Sequence, residues 1–313
     1  MGDKTGIEWT DATWNPVRGC TRISPGCVNC YAESIAARFS GPGMPYEGLA
    51  RMTPSGPRWT GKFRLVDRHL LDPLRWKKPR KVFVNSMSDL FHESMPDEWI
   101  DKVFAVMCMA KEHTFQVLTK RSRRMRDYFA QGMEKLTYRW GWEAQAIMRS
   151  RGDDATDKEP KWPPSNVWLG VSVEDQANAD KRLPDLIATP AAVRFVSYEP
   201  ALGPVDFMML GVEGTEECAG LNALTGEQPC CHDHPDVSLW HGSVDWVICG
   251  CESAQPGRPA RPMNLDWVRR VRDQCVIEHV AFFFKQAYID GELVGTPELD
   301  GRKWEQYPEA VTA

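Results

Sequence analysis

The sequence predicts an α/β fold: a partial or complete parallel β/α (TIM-like) barrel of six to seven βα units with two insertions. Three observations carry this expectation. Apolar runs of strand length alternate with helical segments of about ten to fifteen residues. Polar side chains follow one run after another, where the carboxyl ends of barrel strands would lie. No Gly-x-Gly-x-x-Gly turn marks the dinucleotide site of a doubly wound sheet.

The elements follow in order. Ile7 to Trp14 reads as a short strand, and Tyr31 to Phe39 as a helix with Ala, Ile and Phe on one side. Residues 40–63 are rich in Gly, Pro and Arg and read as a long irregular connection. His69 to Trp76 is expected as a short helix interrupted at Pro73. Lys81 to Ser86 is an apolar strand, and Pro96 opens an amphipathic helix to about Lys111. Phe115 to Thr119 is the next strand, with Ser122 capping the helix after it. Residues 137–165, with Gly, Asp, Lys and three prolines, read as the first insertion. Val167–Val173 is a strand, Asp175 to Ile187 a helix and Val193 to Ser197 a strand. Residues 208–243 form the second insertion. Asp245 to Cys249 restores the strand pattern, Leu265 to Cys275 is helical, and Val280 to Phe284 is the last core strand. The whole chain, 1–313, is expected to be one domain.

At 313 residues and 42% hydrophobic content the chain has material for a substantial core. No run of eighteen apolar residues exists, so no membrane span or membrane partner is expected. The opening residues lack an apolar signal segment, and the expected location is cytoplasmic. In that reducing compartment ten cysteines suggest metal or redox chemistry more than disulfides. A net charge of −5 argues against a generally basic nucleic-acid binder. Local basic runs at 75–81 and 120–126 remain, each readable as a solvated helix face or as a phosphate contact.

Chemistry concentrates in Gly19-Cys20-Thr21-Arg22-Ile23-Ser24-Pro25-Gly26-Cys27-Val28-Asn29-Cys30-Tyr31-Ala32-Glu33. Cys20, Cys27 and Cys30 fall within eleven residues, and Pro25 and Gly26 keep the bend out of a helix. Thiolates favour zinc or iron–sulfur clusters. A structural zinc site wants four protein ligands, so three local cysteines tilt toward a cluster, with zinc plus a distant fourth ligand as the alternative. Strand-end candidates are Asn85, Ser86, Ser88 and Asp89; Thr119 and Lys120; Ser172 and Glu174; Ser197 and Glu199; Glu252 and Ser253; and Lys285 and Gln286. Cys218, Cys230, Cys231, His232 and His234 in the second insertion have ligand types suited to zinc. His69, His92 and His113 are too scattered to suggest a zinc hydrolase.

Arg18-Gly19-Cys20, Gly26-Cys27 and Cys30-Tyr31-Ala32 resemble the cluster loop of radical S-adenosylmethionine (SAM) enzymes, especially the spore-photoproduct-lyase-like group. The first cysteine spacing here is longer than the one common in that group. A wider likeness runs through Ile7–Pro16, Val84–Phe91, Leu118–Arg121, Trp168–Glu174, Ser197–Pro200, Cys249–Ser253, Arg261–Met263 and Phe282–Gln286. Those blocks, in that order, resemble a three-cysteine-motif protein family of phages, prophages and bacteria whose activity is not established. Cys251 departs from that family's usual block.

The resemblance implies a [4Fe–4S] cluster on Cys20, Cys27 and Cys30, with SAM on the remaining iron. It implies a low-potential electron donor and a nucleic acid or nucleotide as substrate. Asp89 and Glu174 would then receive the methionine ammonium, Lys120 or Arg121 its carboxylate, and Ser172 and Glu199 the ribose. Lys120, Glu252 and Cys251 are the candidates for a catalytic role. The competing expectation is a non-catalytic, metal-stabilised phage accessory or defence protein that binds DNA or a protein.

Overall fold

The computed structural model describes residues 5–153, 162–211, 220–227 and 242–309. The fold is mixed α/β on mostly parallel strands, and the chain divides into two compact units. One holds Met1–Arg22 and Ala32–Trp168, the other Ile23–Tyr31 and Leu169–Thr312.

The first unit contains β1 (Ala12–Trp14), β2 (Val17–Arg18), all but the first residue of α1 (Tyr31–Arg38), β3 (Ala50–Thr53), β4 (Gly56–Trp59), β5 (Arg64–Leu65) and α2 (Asp67–Leu70). It continues through β6 (Lys81–Val84), α3 (Asp97–Met109), β7 (Thr114–Thr119), α4 (Ser122–Phe129) and α5 (Met133–Arg151). β6 lies between β1 and β7 and pairs in parallel with both. β2 pairs antiparallel with β5, placing Arg18 opposite Arg64. Trp14, Phe104, Phe115, Tyr128 and Trp140 are fully buried, and the Phe104 and Trp140 rings stack at 4.8 Å. The Tyr128 hydroxyl accepts from Trp140 Nε1 and donates to Asp101, so the polar ends of these large aromatics are satisfied.

Three expectations are corrected here. Residues 40–63 contain the antiparallel hairpin β3–β4, turned at Pro54-Ser55 and closed by Thr53 Oγ1 on the Gly56 carbonyl at 2.7 Å. The alternation of Ala50-Arg51-Met52-Thr53 is only four residues long and Met52 is exposed, while Gly56-Pro57-Arg58-Trp59 carries no alternation, so the hairpin gives no strand pattern. The first part of the segment read as an insertion at 137–165 is helical, as the continuation of α5 to Arg151. Ser122 opens α4 as its first helical residue, while Arg121 occupies the capping position.

The second unit takes up β8 (Val167–Val173) from its third residue, then α6 (Gln176–Ile187), β9 (Val193–Tyr198), β10 (Trp246–Gly250), α7 (Leu265–Ile277), β11 (Ala281–Ile289) and β12 (Glu292–Gly295). The strands lie in sequence order, with β10 parallel to β9 and β11 and with β12 antiparallel to β11. Every residue of β8, β9 and β10 is buried, as expected of parallel strands covered on both faces. Asp175 caps α6 by accepting from the Asn178 amide at 2.9 Å. β11 runs five residues past the expected Phe284, because Gln286 to Ile289 pair with β12. Lys285 and Gln286 are therefore strand residues, not residues beyond a strand end. Among the described residues no helix is long and apolar enough to cross a membrane.

Candidate functional site

The polar side chains after β6 and β7 form one connected network in the first unit. Asp89 Oδ1 accepts from Thr119 Oγ1 at 2.6 Å and from the Phe91 amide at 3.1 Å. Its Oδ2 accepts from the Lys120 amide and from Arg121 Nη1, both at 3.0 Å. Arg121 also donates through Nε to Glu93 at 2.8 Å. Its Nη2 reaches the cysteine segment, donating to the Thr21 carbonyl at 3.1 Å and to Thr21 Oγ1 at 2.9 Å. Burial of Arg121 disfavours its charge, but Asp89, Cys20 and Glu93 outweigh that and raise its pKa.

His92 grips the same threonine. Its Nδ1 accepts from the Ser94 amide at 3.1 Å, which leaves Nε2–H to face Thr21 Oγ1 at 2.6 Å. Burial, and then the Arg121 charge, push the His92 pKa below its ordinary value, which favours the neutral ring. Arg22, next in the chain, pairs with the fully buried Glu33 of α1, whose other oxygen accepts from the Trp59 amide at 2.9 Å.

The second unit holds its share of the cysteine segment in the same way. Glu174, after β8, is fully buried; Oε1 accepts from Ser24 Oγ at 2.6 Å and Oε2 from Arg182 Nη1 at 2.9 Å. Arg182 Nη1 also reaches the Ser172 carbonyl at 2.7 Å. Gly26 lies so close that a Cβ there would stand 2.2 Å from Glu174 Oε1. Glu252, after β10, accepts through Oε1 from Asn29 Nδ2 at 2.8 Å and from the Arg261 amide at 2.7 Å. Its Oε2 pairs with Arg261 Nη2 at 2.5 Å. Arg261 Nη1 then donates to the Pro25 carbonyl at 3.0 Å, and Arg258 Nη1 to the Val28 carbonyl at 2.7 Å. Burial raises the Glu252 pKa, but its hydrogen bonds from Arg261 and Asn29 lower it further, and the net shift is downward.

Strand-end side chains thus anchor the backbone and polar side chains between the cysteines, by Thr21 in the first unit and by Ser24, Pro25, Val28 and Asn29 in the second. Asp89, Glu174 and Glu252 have oxygens engaged in these contacts, and Glu199 pairs with Lys285 at 2.5 Å. Ser172 is buried within β8. Lys120 is half-buried and its amide holds Asp89. Cys251 is buried just past β10, where burial pushes its thiol up to about 11, so it is protonated at neutral pH. The basic run at 120–126 is interleaved with acids: Arg124 pairs with Asp97, and Arg123 and Arg126 with Asp127.

Cys20 lies in the first unit, Cys27 and Cys30 in the second, and all three are half-buried. None of the seven described cysteines forms a disulfide. Ser24 Oγ stands 3.9 Å from Cys27 Sγ, within the one turn of 3₁₀ helix at Pro25–Cys27. Among the described residues, no three His, Cys, Asp or Glu side chains are gathered to hold a metal ion. Cysteine is a residue type that ligates zinc and iron, and within each unit guanidinium groups anchor the neighbours of these cysteines. Cys218, Cys230, Cys231, His232 and His234 lie outside the described residues.

The anchors Ser24, Asn29, Glu33, His92, Arg182, Arg258 and the ion-pair role of Arg261 had no local signal in the sequence. Each meets its partner only through the fold, and Asn29 and Glu252 are separated by 223 positions. No curated protein and no solved structure matches the chain. Residues 4–308 match one family model, and the chain belongs to that family, described as "Protein of unknown function (DUF5131)".

Proposed function

We propose that this chain is a radical SAM-type enzyme built on a partial or complete parallel β/α (TIM-like) barrel, with Cys20, Cys27 and Cys30 as ligands of a [4Fe–4S] cluster. The observation that carries the reading is the anchoring of the cysteine segment. Arg121, Arg258 and Arg261 donate to the carbonyls of Thr21, Val28 and Pro25, while the three half-buried cysteines stay outside any disulfide. A loop held by its backbone presents its side chains in a defined direction, as a preorganised site requires. Such a cluster, when bound, supplies the electron for reductive cleavage of SAM. Cluster potential depends on hydrogen bonding, charge and exposure, and the arginines place positive charge along the cysteine segment.

The substrate in this reading is a nucleic acid or a nucleotide, and a low-potential donor reduces the site. Within it, Asp89, Lys120, Glu174, Glu199 and Ser172 are the residues proposed to receive SAM. A second reading has one observation in its favour. The acids proposed for SAM already hold internal partners, as a purely structural network would. In that reading the protein is a metal-stabilised accessory or defence protein that binds DNA or another protein.

Anaerobic reconstitution with iron and sulfide, followed by SAM and a strong reductant, separates the two. The expected result is a brown protein with about four irons and matching acid-labile sulfide per chain. It should form 5′-deoxyadenosine, and Cys27→Ala should lose both the colour and the product. A protein that holds the cluster but never cleaves SAM supports the accessory reading. Zinc bound in place of iron, without colour, overturns the cluster.

A further inference from the structure

In the first unit Arg18, the residue two before Cys20, occupies an unusual electrostatic setting. It is 6% exposed, and its guanidinium stacks 5.0 Å above the Tyr46 ring. Nη1 donates to the Pro45 carbonyl at 3.0 Å, but Nε is buried with no hydrogen-bond partner. β2 and β5 set Arg64 directly across from Arg18, so both side chains leave the same face of the ladder. Arg68, the second residue of α2, adds a third cation. Burial, and then Arg68 and Arg64, hold the Arg18 pKa below its usual value, against the opposing pull of Tyr46.

Like charges directly opposite on paired strands destabilise a sheet, and a buried charge without a counter-ion costs more. Elsewhere in this unit arginines are matched by acids, as Arg121, Arg124 and Arg139 are. Here no carboxylate among the described residues lies within ion-pair distance of Arg18, Arg64 or Arg68. The nearby Glu47 side chain caps the Gly43 amide at 2.8 Å, and Arg64 reaches only the Glu47 carbonyl, at 2.7 Å. Burial pushes the Tyr46 pKa up, so its hydroxyl stays a neutral donor. The set therefore offers several N–H donors, one O–H donor and concentrated positive charge, but no acceptor of matching charge.

We propose that Arg18, Arg64 and Arg68 form a binding site for a phosphate group, carried by a nucleotide or by a nucleic-acid backbone. Arginine forks match phosphate oxygens in pairs, and a bound phosphate supplies the charge that the cross-strand pair lacks. Both Arg64 and Arg68 are exposed and give a ligand access, while Arg18 is fixed by Tyr46 and Pro45. The site does not depend on whether the thiols hold a cluster.

The test uses the full chain without metal, so its failure leaves the cluster reading untouched. A fluorescein-labelled single-stranded thymidine oligonucleotide is titrated by anisotropy, with nucleoside monophosphate and inorganic phosphate as competitors. In parallel, melting is followed in phosphate and in chloride at equal ionic strength. Phosphate should raise the melting temperature of the wild type but not of the double variant Arg64→Gln/Arg68→Gln. If a polymer is the source, the double variant should bind the oligonucleotide about tenfold more weakly. The slope of log affinity against log salt should then fall by about 1.4, from two lost single-strand phosphate contacts. If only the mononucleotide and phosphate act, the source is a small ligand and the site stands. Restoring charge in Arg64→Lys/Arg68→Lys should recover part of either effect. Equal binding and equal phosphate stabilisation in wild type and the Gln variant overturn the proposal, as does the lack of any response to all three probes.

Discussion

Glu252 holds three groups at once: the Asn29 amide, the Arg261 backbone amide and the Arg261 guanidinium. Because these bonds favour the ionised carboxylate, its folded pKa lies below the ordinary value. The sign of the linkage follows. A depressed carboxylate contributes stability at pH values above its unfolded pKa of about 4.3, and that contribution is lost as pH falls through the folded value. Glu252→Gln keeps the shape and removes the charge. It should cost about 1–2 kcal/mol at pH 7, the scale of hydrogen bonds to charged groups discounted for the half-exposed Arg261. It should also flatten the loss of stability between pH 5 and the acid transition, as chemical denaturation at several pH values would show. Equal stability of variant and wild type at pH 7 would mean that this ion pair does not hold the loop.

At the scale of elements, the seat of the 3₁₀ turn Pro25–Cys27 is set by one close approach. Gly26 sits against a carboxylate that Ser24 and Arg182 already pin, so an added methyl has no soft neighbour to displace. Gly26→Ala should lower stability by about 1–3 kcal/mol, the range for overpacking a tight site. It should also speed alkylation of Cys27 as the turn lifts, which peptide mapping by mass spectrometry would follow. An unchanged alkylation rate would show that the turn is not seated on Glu174. The elements that the sequence made legible are those with strong one-dimensional patterns. β8 was readable to its end residues because a strand buried on both faces is a continuous apolar run. The hairpin β3–β4 was not, since its strands are four residues long and only β3 alternates, with its Met52 exposed. Nor was α5 from Thr137 onward, where glycine and polar residues mask a pattern whose buried positions are only Leu136, Trp140 and Ile147. The extension of β11 follows from pairing with β12, a partner that no local window contains.

For the whole molecule, the alternation of parallel strands with helices was legible, and so was the placing of acids after strands β6, β8, β9 and β10. Their employment was not. The sequence suggested open ligands at Asp89 and Glu174 and a catalytic group at Glu252; the structure pairs them with Arg121, Arg182 and Arg261, and within each unit Arg121, Glu174, Glu252 and Arg261 also touch the cysteine segment. A partner far away in the chain leaves no trace in the spacing around either residue, so the clamp emerges only once the chain has folded. The proposal that the clamp serves a cluster is tested most directly by electron paramagnetic resonance of the anaerobically reconstituted, reduced protein, recorded with and without SAM. The account predicts the signal of a reduced cubane that changes shape when SAM is added and is lost in Cys20→Ala. A reconstituted protein without that signal, or with one that neither SAM nor the Cys20 substitution alters, would contradict it.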